Sequence, residues 1–287
     1  MTDNNNQLAN TGAAAPRRIL AGLGAVADEI QTIEAALVLA EALRTEITGY
    51  FVEESNLLDL AGLPFAKAIP PSGRSARPIE PFEMEREFVQ AAATWRRTLS
   101  AHASRSRITC TFRTARGSYC AEIAKAAVET DIVVVNPANI SQYGRTAVAA
   151  VLNAMGPAAG MVLLPRQGWI ARRGPVAIVV EDIPGANLFR MAERIASAAG
   201  VGTVILILPG GERKLDDMRK AAHAALGPDA QLEMLPGPEP SDAVMSIADW
   251  HPSYVIWSGG NGPQREEKLD LLLRAAGAPV VLLRDIG

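Results

Sequence analysis

"IWSGGNGPQREEKLDLLL", Ile256 to Leu273, passes from an apolar, β-rich run through a glycine-rich turn into an amphipathic helix. A strand, a glycine turn and a helix start form the joint of open α/β proteins, where backbone N–H groups approach an anion at the positive end of the helix. Outward from this joint, short and near-continuous apolar runs recur along the chain, the pattern of parallel strands covered by helices on both faces. The first half supplies "RILAGL" (Arg18 to Leu23), "EITGYFVE" (Glu46 to Glu53), "ITCTFRT" (Ile108 to Thr114), "DIVVVN" (Asp131 to Asn136) and "GMVLLP" (Gly160 to Pro165). The second half supplies "PVAIVVE" (Pro175 to Glu181), "GTVILIL" (Gly202 to Leu208), "QLEMLP" (Gln231 to Pro236), "SYVIWS" (Ser253 to Ser258) and "PVVLLR" (Pro279 to Arg284). Helical segments alternate with them: "EIQTIEAALVLAEALR" and "NLFRMAERIASAAG" follow the two first strands, and "SYCAEIAKAAVE" and "SDAVMSIADW" precede the two fourth strands. Such alternation predicts βαβ units and a parallel sheet in each half.

The two halves are a repeat. Ile19 against Ala177 gives an offset of 158, Val133 against Val255 gives 122, and Val162 against Val281 gives 119. The drop of 36 between the first and second of these places extra residues in the first half, and "EESNLLDLAGLPFAKAIPPSGRSARPIEPFEMEREF" (Glu53 to Phe88) is the stretch that holds them. Its prolines and glycines from Pro64 to Pro81 predict irregular chain. Apolar Leu57, Leu58, Leu60, Leu63 and Phe65 among those turn residues predict a mobile or partner-binding loop. From Glu83 to Leu99, Phe88, Ala92, Trp95 and Leu99 fall at helical spacing. "RQGWIARRGP" (Arg166 to Pro175) reads as the linker between halves.

Composition bounds the function. The chain has 287 residues, 48% hydrophobic and 21% charged, with a formal net charge of -3, an ordinary globular balance without the basicity of a nucleic-acid binder. Its two cysteines, Cys110 and Cys120, form no disulfide framework and fit a reducing, cytoplasmic compartment. The first residues lack the apolar core of a signal peptide, and no apolar run reaches the roughly 20 residues that span a bilayer.

The first strand and alanine-rich helix "RRILAGLGAVADEIQTIEAALVLAEALRTEITGYFVEE", the segment "ARGSYCAEIAKAAVETDIVVVN" and the closing strands "GMVLLPR" and "APVVLLRD" together resemble the universal stress proteins in their tandem form, over roughly Arg17 to Asp285. The resemblance implies two tandem five-stranded, parallel-sheet, Rossmann-like α/β domains. These are expected at 17–166, with a long insertion about 54–82, and at 175–287, after a disordered tail over 1–16 and a linker over 167–174. Members commonly pair through their last strands, so it implies an internal pseudo-dimer or a homodimer through those strands. Many members bind ATP, others do not, and most are regulatory rather than catalytic. The expectation is a non-catalytic stress-response or regulatory protein that works through an unknown protein partner. The alternative is a binding protein for ATP or another adenine nucleotide through the second-half crevice.

The ATP-binding members carry a glycine, two residues, a second glycine, nine residues, then glycine followed by serine or threonine. Early glycines admit the phosphates, and the later pair presents N–H and hydroxyl donors at a helix start. Gly259 and Gly262 have the first spacing here, but the later pair falls on Leu272 and Leu273, inside an apolar run, and Glu266, Glu267 and Asp270 stand nearby. In the first half, "NPANISQYGRTAVAAVLNAMG" has no glycine pair at that spacing, and Gly144-Arg145-Thr146 is a bare anion contact. Members also place an aspartate just after the first strand, to accept from adenine's amino group. Glu181 and Asp182 stand there in the second half, whereas the first half has Leu23 and Gly24, and Asp28 reads as a helix N-cap. The expectation is therefore a vestigial nucleotide site of Glu181, Asp182, Ser258, Gly259, Gly260 and Gly262, with ATP bound weakly or not at all and no other cofactor.

Other chemistries have thinner support. "SGGN" at Ser258 to Asn261 has the start of a pyrophosphatase-type loop, but it follows the fourth strand and continues Gly-Pro. His102, His223 and His251 are far apart, with no ligand spacing for a metal. Cys120 sits at a helix start, which lowers a thiol pKa, so a redox role competes with a plain packing role. No serine, histidine and acid form a nucleophile elbow.

Overall fold

The computed structural model describes residues 18–25, 29–68, 77–78, 80–128, 131–140, 158–165, 174–208, 215–236, 244–257 and 265–283. All ten strands read from the sequence form. In the first half they are β1 (Arg18–Leu23), β2 (Glu46–Glu54), β5 (Cys110–Gly117), β6 (Asp131–Val135) and β7 (Gly160–Leu163). In the second they are β8 (Val176–Val180), β9 (Thr203–Ile207), β10 (Gln231–Met234), β11 (Tyr254–Trp257) and β12 (Val280–Leu283). They lie in one sheet, in the order β10-β9-β8-β11-β12-β7-β6-β1-β2-β5. Each half is parallel throughout, with its first strand in the middle, and the order read outward from the centre is the same in both.

The halves join where β7 and β12 pair antiparallel, with Val162 opposite Val281 and Leu163 opposite Val280. All four of these side chains are buried. Two edges that would otherwise offer unpaired backbone to another chain satisfy each other here.

The pleat corrects one register. Ile19, Ala21 and Leu23 of β1 face the same core as Val176, Ile178 and Val180 of β8. Ile19 pairs with Ile132 as Val176 pairs with Tyr254, so Ile19 corresponds to Val176, an offset of 157 and not 158. Side chains alternate faces along a strand, and a one-residue slip would have turned every apolar side chain to the other face. The offsets of 122 and 119 hold. Ile47 matches Thr203 and Cys110 matches Ala230, so the offset falls from 156 to 120 between β2 and β5.

The inserted residues therefore sit at the outer end of the first half. The start of this segment is more ordered than its turn residues suggest: Ser55–Ala61 is a helix, α2, and Leu57 and Leu58 pack on the core. A two-residue pairing of β3 (Lys67–Ala68) with β4 (Arg77–Pro78) follows, then α3 (Pro81–Arg105), longer than the run from Glu83 to Leu99 because Pro81 is accepted at the first helical position, where its missing N–H costs nothing. The strand expected from Ile108 starts instead at Cys110, because Arg107 takes a positive φ of 56° at the turn before it.

Helices cover both faces of the sheet. On one lie α1 (Ile30–Leu43), α3, α5 (Ala186–Ala199) and α6 (Leu215–Leu226); α1 and α5 pack together across the join, and Arg194 Nη2 donates to the Leu43 carbonyl at 2.8 Å. On the other lie α4 (Tyr119–Ala126) and α7 (Arg265–Ala275). No helix among the described residues is long and apolar enough to cross a membrane. The join is buried, so Val281→Asp costs more than about 4 kcal/mol, because it puts an unpaired carboxylate against Val162. Met234→Asp, at the far edge, stays within about 0.5 kcal/mol. Urea denaturation of the two variants measures the contrast.

Candidate functional site

In an open parallel sheet the ligand crevice lies beyond the carboxyl ends of the strands, where the strand order reverses. Here that point falls twice: between β1 and β6, past Leu23 and Val135, and between β8 and β11, past Val180 and Trp257.

At the first crevice the chain's own polar groups bond to one another. Glu29, just before α1, is wholly buried. Its Oε1 accepts the Gly24 N–H at 2.8 Å and also the Asn139 side-chain amide, while its Oε2 accepts the Thr32 hydroxyl at 2.5 Å. Asn139 ends a 3₁₀ turn (Pro137–Asn139) pinned where Asn136 Oδ1 accepts the Ala138 N–H at 2.9 Å. A Cβ at Gly24 would fall inside the Asn139 side chain, so the glycine is set by close approach. A carboxylate taken out of water costs several kcal/mol unless its lone pairs are satisfied, and these donors satisfy them.

Tyr119, the first residue of α4, reaches the end of β1 from the opposite face. Its hydroxyl donates to the Gly22 carbonyl at 2.8 Å, and its N–H donates to Glu54 Oε2 at 2.9 Å. Burial, and next the Glu29 carboxylate, push its phenol well above the ordinary tyrosine value.

The second crevice is built differently. Glu181 follows β8, and Lys268 of α7 donates to its Oε1 at 2.7 Å, with 29% and 17% of the two side chains exposed. The Glu181 carboxylate thus has a cation partner supplied by the chain. Exposed Asp182 accepts the Ile183 N–H at 2.8 Å. Leu272 and Leu273 are buried in the core beneath α7, which is why they carry neither glycine nor hydroxyl. Of the acids after the turn, Glu266 and Glu267 are exposed, and Asp270 pairs with Arg274 at 2.7 Å. Ser258, Gly259, Gly260 and Gly262 lie outside the described residues, as do Asp28 and Gly144-Arg145-Thr146.

No family model matches the sequence, and none of the curated proteins does. Solved structures do. The chain is similar to a universal stress protein from Archaeoglobus fulgidus DSM 4304, at 12% identity and a TM-score of 0.59, with 94% of this chain and 96% of that one covered. It is also similar to a functionally unknown protein from Pseudomonas aeruginosa PAO1, at 12% identity and a TM-score of 0.55, over 94% and 92% of the two chains. This chain has the universal-stress fold.

Within that fold, four site residues escape a reading of sequence alone: Glu29, Asn139, Tyr119 and Lys268. Glu29 stands five positions past Gly24, and its carboxylate accepts from the Gly24 N–H. Lys268 hides among alternating charges in "REEKLD". Cys120 departs from the low-pKa expectation: burial, and then Glu54, push its thiol up, so it is held as a neutral packing group.

Glu29→Ala removes the buried acceptor of the Gly24 N–H and the Thr32 hydroxyl and one partner of the Asn139 amide, and the expected loss is roughly 2 kcal/mol or more, at about 1–3 kcal/mol for each group left unpaired. Urea unfolding of that variant measures it. Tyr119 has a folded-state pKa raised above its unfolded value near 10, so its contribution is complete below that pH and is lost as pH climbs toward the folded value. Tyr119→Phe is therefore less stable at neutral pH, and its stability falls less steeply above pH 10, as urea midpoints across the alkaline range will record.

Proposed function

We propose that the chain is a non-catalytic, cytoplasmic regulatory protein of the universal stress type, with a degraded nucleotide site, acting through protein contacts. The observation that supports this reading is at the first crevice, where buried Glu29, Asn139 and Tyr119 bond to one another's neighbours at the end of β1, so that an entering base or phosphate would have to displace them. The second crevice supports it further, because Glu181 is engaged by Lys268 and the later phosphate donors are replaced by core leucines. Each charge-assisted hydrogen bond absent from a phosphate forfeits about 1.5–3 kcal/mol. Losing two weakens ATP by roughly two to four decades, at about tenfold per 1.4 kcal/mol.

A second reading rests on Lys268, which sets a cation beside the second crevice. On that reading a bound nucleotide draws Lys268 to its phosphates and frees Glu181 for the adenine amino group. Isothermal titration with Mg-ATP separates the two. The expected result is no measurable heat, or millimolar binding that Lys268→Ala removes. Micromolar binding lost in both Lys268→Ala and Gly262→Val would establish the second reading and overturn the first.

A further inference from the structure

The sheet ends at β5 on an open edge. Ile47 stands opposite Cys110, and its N–H donates to the Thr109 carbonyl at 2.9 Å, so in this parallel ladder Thr109, Thr111, Arg113 and Ala115 turn their backbone groups to β2. The N–H and C=O groups of Cys110, Phe112, Thr114 and Arg116 therefore point away from the sheet, where β5 has no neighbouring strand. None of these backbone groups has a hydrogen-bond partner among the described residues. The same segment is charged one way. Between Glu87 and Glu122 the chain has no aspartate or glutamate but six arginines. Arg105 and Arg107 stand exposed just before β5 and Arg113 is exposed at its middle, and none of the three makes an ion pair among the described residues. Arg116, toward the end of the strand, is taken up by Glu53 at 2.9 Å and Glu85 at 3.1 Å. The acids of α3, from Glu80 to Glu87, lie at its start, and the Glu85–Arg116 pair sets that end of the helix beside the end of β5, away from Arg105 and Arg107. Of the remaining acids nearby, Glu122 is held by Lys125 at 2.5 Å, and Glu46 begins β2, one strand in.

We propose that the β5 edge takes up an extended acidic segment of a partner protein as a further strand. The backbone of that segment pairs with Cys110, Phe112, Thr114 and Arg116, and its carboxylates meet Arg105, Arg107 and Arg113. The proposal rests on the reading that the chain acts through protein contacts, and it names where and with what chemistry. In strand addition the main chain supplies affinity and the side chains supply selection. A second copy fits poorly. Two β5 strands in full antiparallel register set Cys110 opposite Arg116 and Phe112 opposite Thr114, which brings Arg113 against the Arg113 of the other copy. Like charges directly opposite are destabilising, so these arginines guard the edge against its own kind and admit an acidic strand. A nucleic acid would engage the arginines through its phosphates and leave the outward backbone donors and acceptors unmatched, whereas a peptide strand engages both. The other edge of the sheet, β10, is four residues long, with Glu233 and no arginine, so the site is single in the chain.

The test is fluorescence anisotropy of a labelled peptide of about ten residues, the length of a long strand, that alternates valine with threonine and glutamate. It is titrated with the full chain. One control peptide carries lysine for glutamate. A second has every backbone nitrogen methylated, which keeps the charges and removes the N–H donors. Two variants of the chain separate charge from backbone. Arg113→Glu reverses the central charge. Thr114→Pro removes one outward N–H and no bond to β2, and proline is accepted on an edge strand where the N–H faces solvent. Both positions are exposed, and unchanged circular dichroism confirms that the variants fold. Expected are micromolar binding that weakens with salt, a loss of about tenfold or more in each variant, and no binding of either control peptide. No binding of the acidic peptide, binding kept by the methylated peptide, or binding indifferent to either variant overturns the proposal. So does sedimentation showing that the free chain is a dimer which Thr114→Pro dissociates, or single-stranded DNA that binds through Arg113 where the peptide does not. Peptide failure with a silent Mg-ATP titration removes this edge site and leaves the regulatory reading; micromolar Mg-ATP binding removes that reading whatever the peptide does.

Discussion

The antiparallel ladder between Gly160–Leu163 and Val280–Leu283 is the constraint on which the molecule depends. Each half is an open parallel sheet whose last strand is apolar on both faces, and such an edge must be paired or covered. A repeat within one chain meets the requirement internally, at the effective concentration of a tether. Once β7 and β12 meet, α1 and α5 are brought together above them, and the Arg194 bond to the Leu43 carbonyl crosses the same junction.

That symmetry of backbone is not a symmetry of chemistry. At the lower end of the first half, Arg18 and Asp131 form a mostly buried bidentate pair, which also collects the Ala126 carbonyl and the Val128 N–H. The corresponding positions in the second half are Pro175 and Ser253, joined by a single backbone bond of 3.0 Å. At the upper end the first crevice closes on a buried carboxylate, while the second keeps a partly exposed Glu181–Lys268 pair. Two copies of one fold have thus diverged where the fold places ligands, and kept the apolar positions that build the sheet. Fold and site are separable in this way because burial tolerates exchange among apolar residues, whereas a binding site needs particular atoms in particular places.

The insertion between β2 and β5 is the largest departure from the repeat. Its inner side chains extend the core, with Phe88 and Leu99 fully buried, while its outer side carries exposed Phe82 and Val89 among charged groups of both signs. β5, the edge strand beneath it, carries exposed Arg113 and Arg116, and charge on an edge discourages addition of a like strand.

The sequence by itself determined the strands, their parallel sense and the tandem repeat, since continuous apolar runs between helical periods have few other solutions. It placed the extra residues in the first half and marked Leu272 and Leu273 as apolar where a phosphate loop needs donors. Tertiary structure decided the rest. The offset between first strands is 157 and not 158, because Ile19 and Ala177 are both apolar and only the facing core separates one parity from the other. Glu29 was invisible as a site residue because its partners, Gly24 and Asn139, lie 5 and 110 positions away, the second on another strand's loop. Cys120 sits at a helix start, which lowers a thiol pKa, but burial and the Glu54 carboxylate raise it, and neither can be read from neighbours in sequence. Periodicity is a local property of the chain and survives in the sequence; desolvation and hydrogen-bond partnership exist only once distant segments have met.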